Sequence, residues 1–487
     1  MSTTDFTPDQ RYVHELSEAI ERIWDIALRN GLDPFPVHFE LVPATIMYEF
    51  GSYGLPGRFS HWSRGKAYYR MKTEYDYGLS KIYELVVNTN PSYAFLMEQN
   101  DLLQNKVVVA HVLGHTDMFK HNVYFSHTSR NMIDRVSTHA ERIRKYEYDH
   151  SVPEVERFLD AVLAIEEHID PNFHLKEAGE ERGDVKPNAH TPTSPYEDLW
   201  SLAERRVREQ EAEERHSRLK PSKFPPEPVK DLLLFFAQHA PNLEEWQRDV
   251  LLVVRDEMRY FVPQMQTKIL NEGWASFWHS RIMRELDLSD ADFTAFAQMH
   301  SGVLAPQRMR INPYHLGYKI LEDIERRWDN PTEEERAKGQ MPGKGREKIF
   351  EVREIESDLS LLRNYVTKEL VEDLDLYLYR KEGDEWVIVE KNWEKVRDGI
   401  VASMTNFGYP YITVVDADFN GNSELVLRHH HEGQDLDLAY AQKTLEYVQY
   451  IWSRPVYLET VIEGQAVRLG YNGEKHARVN LAEKDAD

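Results

Sequence analysis

The chain has 487 residues, enough for two or three domains, with a formal net charge of −24 and no cysteine. The acidic balance argues against a sequence-independent grip on nucleic-acid phosphates or anionic membranes, and the missing cysteines exclude disulfides, thiolate zinc sites and cysteine nucleophiles. No secretory signal is visible and no apolar run reaches the roughly 20 residues of a membrane span, so we expect a cytoplasmic protein.

The first part of the chain is predicted to be a helical body with one irregular segment. Apolar residues at helical spacing predict an amphipathic helix over residues 8–30. Residues 34–70 are rich in proline, glycine and aromatic residues, which predicts an ordered aromatic loop rather than a helix. Asn90-Pro91 is typical of a helix start, and helical patterning continues over Val107–Phe125.

A charged segment then interrupts this body. Residues 176–230 are rich in charge and poor in apolar residues, which predicts a partly mobile surface insertion. Helical periodicity returns over residues 231–370, and alternation over residues 371–487 predicts hairpin–helix units, with the strongest turn signal at Asn420-Gly421. We therefore predict an α+β protein, in which residues 1–175 and 231–370 form a mainly α-helical N-terminal body and residues 371–487 form a C-terminal α+β domain.

Two helical segments carry polar groups that suit a metal ion. His111 and His115 are four residues apart, so on a helix they face one side and offer two ligands to a tetrahedral metal. Glu272 lies in the apolar segment Asn271–His279, where a carboxylate needs a partner, and Gly114 would let this second helix come close. We predict a zincin-like helix pair holding a divalent metal through His111, His115 and Glu272, with zinc as the first choice and iron or manganese as alternatives.

The same residues also allow a structural interpretation. Val112 occupies the position of the general base in the H-E-x-x-H motif, so a hydrolase would have to take its base from elsewhere. The candidates are Glu257, Glu49 and Asp117, with His279 placed two turns after Glu272 to orient it or to stabilise developing charge. Alternatively, the histidines and Glu272 form a buried hydrogen-bonded network that only fixes packing.

Four further residues are predicted to line the site. Asn122 lies seven residues after His115 on the same helix face, and Asn271 directly precedes Glu272. Arg58 and His61 lie in the aromatic segment, where they could line a cleft or simply pack within turns.

Together these segments resemble the stage V sporulation protein R (SpoVR) family over nearly the whole chain. The matching stretches are Pro263–Lys268, Asn271–His279, Ala110–Lys120, Ile311–Tyr314, Tyr53–Pro56 with His61-Trp62, and Val352–Glu354. The resemblance implies an association with spore cortex formation or, in bacteria that do not sporulate, with a stress response. It also implies two companions, a PrkA-type serine kinase and a von Willebrand-A-like protein of the YeaH/YhbH type.

Two functional hypotheses follow. The first is a metal-dependent hydrolase that acts on a peptide, amide or peptidoglycan-related bond. The second is a non-catalytic regulator or scaffold that assembles with the kinase and its partner, which an acidic surface, a mobile insertion and a separate C-terminal domain would suit. The sequence leaves both hypotheses open.

Overall fold

A computed structural model describes residues 8–76, 84–173, 223–307, 310–382 and 385–481. Most of the predicted charged insertion lies outside these residues. The described residues form two compact units, the first from positions 1–156 and 256–409 and the second from positions 157–255 and 410–487. Helices dominate the first unit and a five-stranded sheet is formed in the second, so the predicted α+β class is confirmed. The predicted domain boundaries stay a prediction.

The helices, in chain order, are α1 (Pro8–Arg29), α2 (Ala44–Tyr53), α3 (Trp62–Asp76), α4 (Leu102–His121), α5 (Met132–His150), α6 (Val152–Leu163), α7 (Leu232–His239), α8 (Glu245–Gln266), α9 (Lys268–Glu285), α10 (Asp290–Val303), α11 (Pro313–Asp329), α12 (Glu333–Ala337), α13 (Gly345–Ile355), α14 (Asp358–Tyr365), α15 (Lys368–Asp373), α16 (Trp393–Met404) and α17 (Leu438–Trp452). The strands are β1 (Val37–Val42), β2 (Leu85–Val87), β3 (Ser92–Met97), β4 (Leu378–Glu382), β5 (Glu385–Glu390), β6 (Ile412–Phe419), β7 (Glu424–His429), β8 (Val456–Ile462), β9 (Gln465–Tyr471) and β10 (His476–Asn480). Within the described ranges, no helix combines the length and the apolar character needed to cross a membrane.

Helices α4 and α9 form the centre of the first unit. Almost every residue in the middle of both helices is buried, as expected for helices that are packed on all sides. They approach so closely at Gly114 that a Cβ placed on this residue would lie only 2.6 Å from the Cα of Ala275. Only glycine, which has no Cβ, fits at this position. Gly273 on α9 meets Gly317 on α11 in the same way, with 2.5 Å between such a Cβ and the Cα of Gly317. The prediction that Gly114 permits a close helix approach is confirmed.

The prediction of an aromatic loop over residues 34–70 is wrong. Helices α2 and α3 occupy much of this segment, and the buried side chains of Met47 and Tyr48 anchor the first of them. Gly54, in the left-handed region at φ +75°, ends α2, so the glycine and proline signals mark only the connection between the two helices. Packing of large apolar side chains outweighs the local composition in this segment.

Asn90-Pro91 precedes a strand, so the predicted helix start is also wrong. Strand β3 begins at Ser92 and pairs in parallel with β1 on one side and antiparallel with β2 on the other. Five of its six residues are buried. Its partner β1 lies about fifty residues earlier in the chain, and no local pattern reveals such a pairing.

The second unit carries the sheet β10-β9-β8-β7-β6. Its strands pair antiparallel except for β7 and β8, which are parallel and are connected through α17. The hairpin–helix pattern predicted over residues 371–487 is confirmed, with β6–β7 as the hairpin around Asn420-Gly421 and β8–β9 as a second hairpin of this sheet. Strands β4 and β5 form a third hairpin, a separate two-stranded sheet in the first unit.

Candidate metal centre

Four side chains of the first unit point their donor atoms into one small space. His111 and His115 come from α4, Glu272 comes from α9, and Glu84 directly precedes β2; one donor atom from each lies within 4.8 Å of the others. His111 Nε2 is 3.5 Å from Glu84 Oε1 and 3.6 Å from Glu272 Oε2, while His115 Nε2 is 3.5 Å from Glu272 Oε2. The fold thus brings the three predicted ligands together and adds Glu84.

The spacing of these atoms suits a bound cation better than direct hydrogen bonds. A ring nitrogen that donates to a carboxylate normally lies about 2.7–3.2 Å from it. Two ligands that bind a tetrahedral zinc ion at about 2.0–2.1 Å lie about 3.4 Å from each other, close to the separations found here. His111 Nε2 and Glu272 Oε2 are moreover buried without a hydrogen-bond partner. The residues present therefore fit a divalent metal ion.

Outer hydrogen bonds turn both imidazoles toward Glu272. His115 Nδ1 lies 2.9 Å from Asn271 Oδ1, and because an amide oxygen only accepts, the hydrogen sits on Nδ1 and Nε2 presents its lone pair. His111 Nδ1 lies 2.9 Å from His279 Nδ1, and His279 Nε2 lies 2.9 Å from His300 Nδ1. We assign the hydrogens so that His111 donates to His279, which donates to His300. Histidines that bind metals commonly have such outer partners.

The position of His279 corrects one interpretation. We expected this residue to orient Glu272, two turns earlier on the same helix. The structure places its ring against His111 instead, and its second nitrogen continues to His300 on α10. Burial and the neighbouring His111 hold the pKa of His279 well below its usual range, so this imidazole is neutral. A neutral imidazole can accept one hydrogen bond, from His111, and donate another, to His300.

The electrostatics of the cluster favour an ionised Glu272. Burial alone would raise the pKa of this carboxyl, but His111 and His115 outweigh burial and lower it. Burial likewise works to lower the pKa of His111, yet the carboxylates of Glu84 and Glu272 outweigh it and raise this pKa. The pKa of His115 is lowered by burial and by His111. A negative carboxylate thus faces two imidazoles in a nearly dry space.

A cavity of about 390 Å³ opens beside this cluster. Glu84, His111, His279, His300 and Tyr314 form the wall of the cavity nearest to the metal ligands. The ring of Tyr314 stacks on His111 with 6.0 Å between ring centroids. Burial, together with the nearby Glu272 and Glu84, raises the pKa of Tyr314, so its hydroxyl keeps its proton.

Two predicted residues of the α4 region have structural partners elsewhere. Asp117 is fully buried and accepts hydrogen bonds from Trp274 Nε1 at 2.9 Å and from Arg353 Nη1 at 3.2 Å. Asn122 caps the end of α4, and its amide donates to two backbone carbonyls, that of Arg353 in the last turn of α13 and that of Glu356 just after this helix. Neither residue lines the cavity. The geometry gives Asp117 no access to a substrate as a base.

The remaining predicted residues are Glu257 on α8, Arg58, Glu49 and His61, and of these Arg58 contacts Glu257. Arg58 Nε donates to one carboxylate oxygen of Glu257, and His139 Nδ1 lies 3.3 Å from the other. Glu49 and Arg58 line a second cavity of about 270 Å³, while His61 pairs its Nδ1 with Ser63 Oγ at 2.8 Å. Burial works to raise the pKa of Glu257, but Arg58 outweighs it and lowers the pKa. None of these residues lines the cavity beside the metal centre.

Three residues of the site were missed by sequence reasoning. Glu84 belongs to no spacing pattern. It lies in the cluster because it directly precedes β2, and the pairing of β2 in the three-stranded sheet fixes its position. Tyr314 follows the cap at Asn312, whose side chain accepts from the backbone of Tyr314 at 3.0 Å, and the pair Asn312-Pro313, typical of a helix start, was the available signal. His300 lies near the end of α10 and carried no signal.

Comparisons with known proteins match two consecutive regions of the chain to one family. Residues 10–409 match the family described as SpoVR like protein, and residues 410–463 match the SpoVR-like C-terminal domain. The chain is 28% identical over 476 residues to the uncharacterized protein YcgB of Escherichia coli (strain K12), an alignment that covers 91% of each chain. No solved structure matches the chain. Because the family match spans most of its length, this chain belongs to the SpoVR family.

Proposed function

We propose that this protein is a metal-dependent hydrolase whose metal is held by His111, His115 and Glu272. The observation that carries the proposal is the convergence of the donor atoms, two of them buried without a hydrogen-bond partner, beside a cavity. Two imidazoles and one carboxylate are a ligand set that catalytic zinc ions use, with a position left for water. Iron and manganese are the alternatives.

The chemistry divides among three groups. A metal bound here would polarise a water molecule and stabilise charge on a substrate carbonyl. Glu84, at the cavity wall, accepts the proton of that water as general base, replacing the glutamate for which Val112 leaves no place. Tyr314, which keeps its proton, donates a hydrogen bond to the oxygen on which negative charge develops.

A pair of carboxylate variants tests this division. We expect Glu84→Gln to retain the metal and to lose about 10²–10⁴-fold in kcat on an amide or peptide substrate, because only the base is removed. Glu272→Gln should lose both the metal and the activity. Metal content and hydrolysis are measured on the same samples, with Asn122→Ala as a matched control outside the cavity. Hydrolysis that survives in His111→Ala, or in excess chelator, would contradict the proposal.

The membership of the SpoVR family supports a cellular role in spore cortex formation or in a stress response, and we include this role in the proposal. A peptidoglycan-related amide bond would connect the proposed chemistry to the cortex. Comparing cortex content in strains that carry wild type or Glu84→Gln would test this connection. Equal cortex in both strains would separate the cellular role from hydrolysis.

A second candidate is a regulator or scaffold that acts with a PrkA-type serine kinase and a YeaH/YhbH-like protein. The observation that favours it is strand β10, an edge strand of the second unit whose residues His476–Asn480 are all exposed. Exposed edges can accept a strand from a partner. Co-purification of the full-length proteins with wild type and with Arg478→Pro tests it. Failure of wild type to retain either partner would count against this candidate.

A further inference from the structure

The cavity beside the metal centre is apolar along most of its wall. At about 390 Å³ it falls at the lower end of the range for small-molecule sites, which is about 300–1,000 Å³. Its outer part is formed by aliphatic and thioether side chains from α4, α10 and the segment that follows α10, namely Val107, Val108, Met299, Val303, Ala305 and Ile311. Such a wall stabilises a ligand mainly through burial of apolar surface.

Two of the three amide side chains that line this wall, Asn312 and Gln104, make hydrogen bonds within the protein. Asn312 Oδ1 accepts from the backbone of Tyr314 and His315, and its Nδ2 donates to the carbonyls of Val303 and Ala305. Gln104 uses its side-chain oxygen to accept from the backbone of Asp101 at 3.0 Å. Glu84, His111 and Tyr314 supply polar groups at the metal end of the cavity.

The charges of the lining side chains also favour an uncharged ligand. Burial, with Arg284 nearby, lowers the pKa of His300 to about 4, so the imidazole nearest the outer cavity is neutral at neutral pH. Among the lining residues that the structure describes there is no lysine or arginine, and Glu84 is acidic. A carboxylate or phosphate on the part of a ligand that lies away from the metal would find no lysine or arginine among these described residues.

We propose that this cavity binds the acyl side of the substrate as an uncharged, mainly aliphatic chain, with the scissile carbonyl at the metal end. The inference rests on the proposed hydrolase function and names its substrate class. In the reaction, the oxygen of water bonds to the acyl carbon as the carbon–nitrogen bond breaks. The proton taken up by Glu84 goes to the departing nitrogen, so the products are a carboxylic acid and an amine.

Neutral alkyl hydroxamates test the inference, because their head group binds divalent metals and their chain length can be varied. Titration calorimetry on the metal-loaded full chain should show affinity rising about fourfold per added methylene until the cavity is full. The heat-capacity change should become more negative with chain length. Met299→Glu should lower the ratio of long-chain to short-chain affinity by about tenfold or more, since it places a charge against the chain. Met299→Leu, the matched control, should keep the ratio of wild type.

The outcomes separate this inference from the function on which it rests. A chain that holds no metal overturns the proposed function and the acyl-chain inference together. A metal-loaded chain whose affinity is flat with hydroxamate length overturns the inference alone. Equal affinity for a hydroxamate that ends in a carboxylate and for a methyl-ended one of the same length does the same.

Discussion

Two glutamates of the first unit, Glu257 and Glu272, lie in similar surroundings but are satisfied in different ways. Glu257 is fully buried beside His139, and Arg58 donates to its second oxygen. Glu272 keeps 18% of its side chain exposed and faces His111 and His115, but among the described residues no arginine or lysine forms an ion pair with it. A buried carboxylate is costly unless a cation pairs with it.

The comparison shows how the candidate metal site differs from a structural ion network of similar composition. At Glu257 the protein supplies the cation itself, and both carboxylate oxygens have partners. At Glu272 one oxygen and one facing ring nitrogen have none, and the outer hydrogen bonds hold the ring nitrogens toward the same space. A metal ion bound by this group would supply the cation that Glu272 lacks.

The largest effect is expected from removing the internal cation. Arg58→Ala would leave Glu257 buried and unpaired, which should lower the free energy of unfolding by about 3–5 kcal/mol. Urea denaturation of both proteins measures the difference, and metal content should not change. The double variant Arg58→Met with Glu257→Gln serves as control and should recover part of the loss. A cost below about 1 kcal/mol would place Arg58 among weak surface pairs.

Removing the metal should act in the same direction at the other glutamate. At a free metal concentration of 100 times Kd, binding stabilises the folded chain by about 2.7 kcal/mol, which a chelator would abolish. Thermal or urea unfolding with and without chelator measures this change. Glu272→Gln should not respond to the chelator, while Arg58→Ala should respond as wild type does. If the chelator destabilised Glu272→Gln as much as wild type, Glu272 would not be a metal ligand and the two glutamates would not differ in the way proposed.

A smaller effect is expected from the outer hydrogen bonds. Asn271→Ala removes the acceptor that fixes the ring of His115, and should weaken metal binding by about 10–100-fold. Competition with a chromophoric chelator measures the affinity. Asn122→Ala, on α4 but outside the cluster, should leave the affinity unchanged. If both variants bind the metal as tightly as wild type, Asn271 does not orient the ligand.

The smallest effect concerns a histidine with neither a carboxylate nor a metal as partner. His168 in the second unit is buried with Nδ1 unpaired, and burial, with Lys230 nearby, lowers its pKa to about 3. The unfolded chain therefore binds a proton that the folded chain does not, so stability falls as pH falls below about 6.5. Between pH 6.5 and 5.5 this amounts to about 1 kcal/mol. His168→Gln should reduce the slope in urea unfolding, and an unchanged slope would refute the assignment.

The part of the site that lies on helices could be predicted from the sequence. The spacing of His111 and His115 fixes their common face, and Gly114 opposite Ala275 permits the close approach that brings in Glu272. Glu84 could not be found this way, because its position depends on the pairing of β2 with β3 and not on any repeat. Local spacing predicts which residues share a face of one helix, but it does not predict which residues the pairing of strands brings to the site.

The wrong predictions have the same physical cause. Pro91 and the glycines around Gly54 are strong local signals, yet the segments they flank became β3 and α2 because β1 and the core offered better burial. At the start of α9 a distant residue supplies a cap that no local signal predicts. Asp358, almost ninety residues later in the chain, accepts hydrogen bonds from the backbone of Ile269 and Leu270, both at 2.9 Å. Contacts between distant segments decide these positions, and one sequence does not display them.

The most direct test is elemental analysis of the full chain purified without chelator or histidine tag, beside Glu272→Gln and Arg58→Ala. The comparison predicts about one equivalent of zinc, iron or manganese in wild type and in Arg58→Ala, and none in Glu272→Gln. The same metal content in Glu272→Gln as in wild type, or no metal in any of the three, would contradict a metal centre at His111, His115 and Glu272. The cluster would then be a packing network, and the search for function would move to the partners.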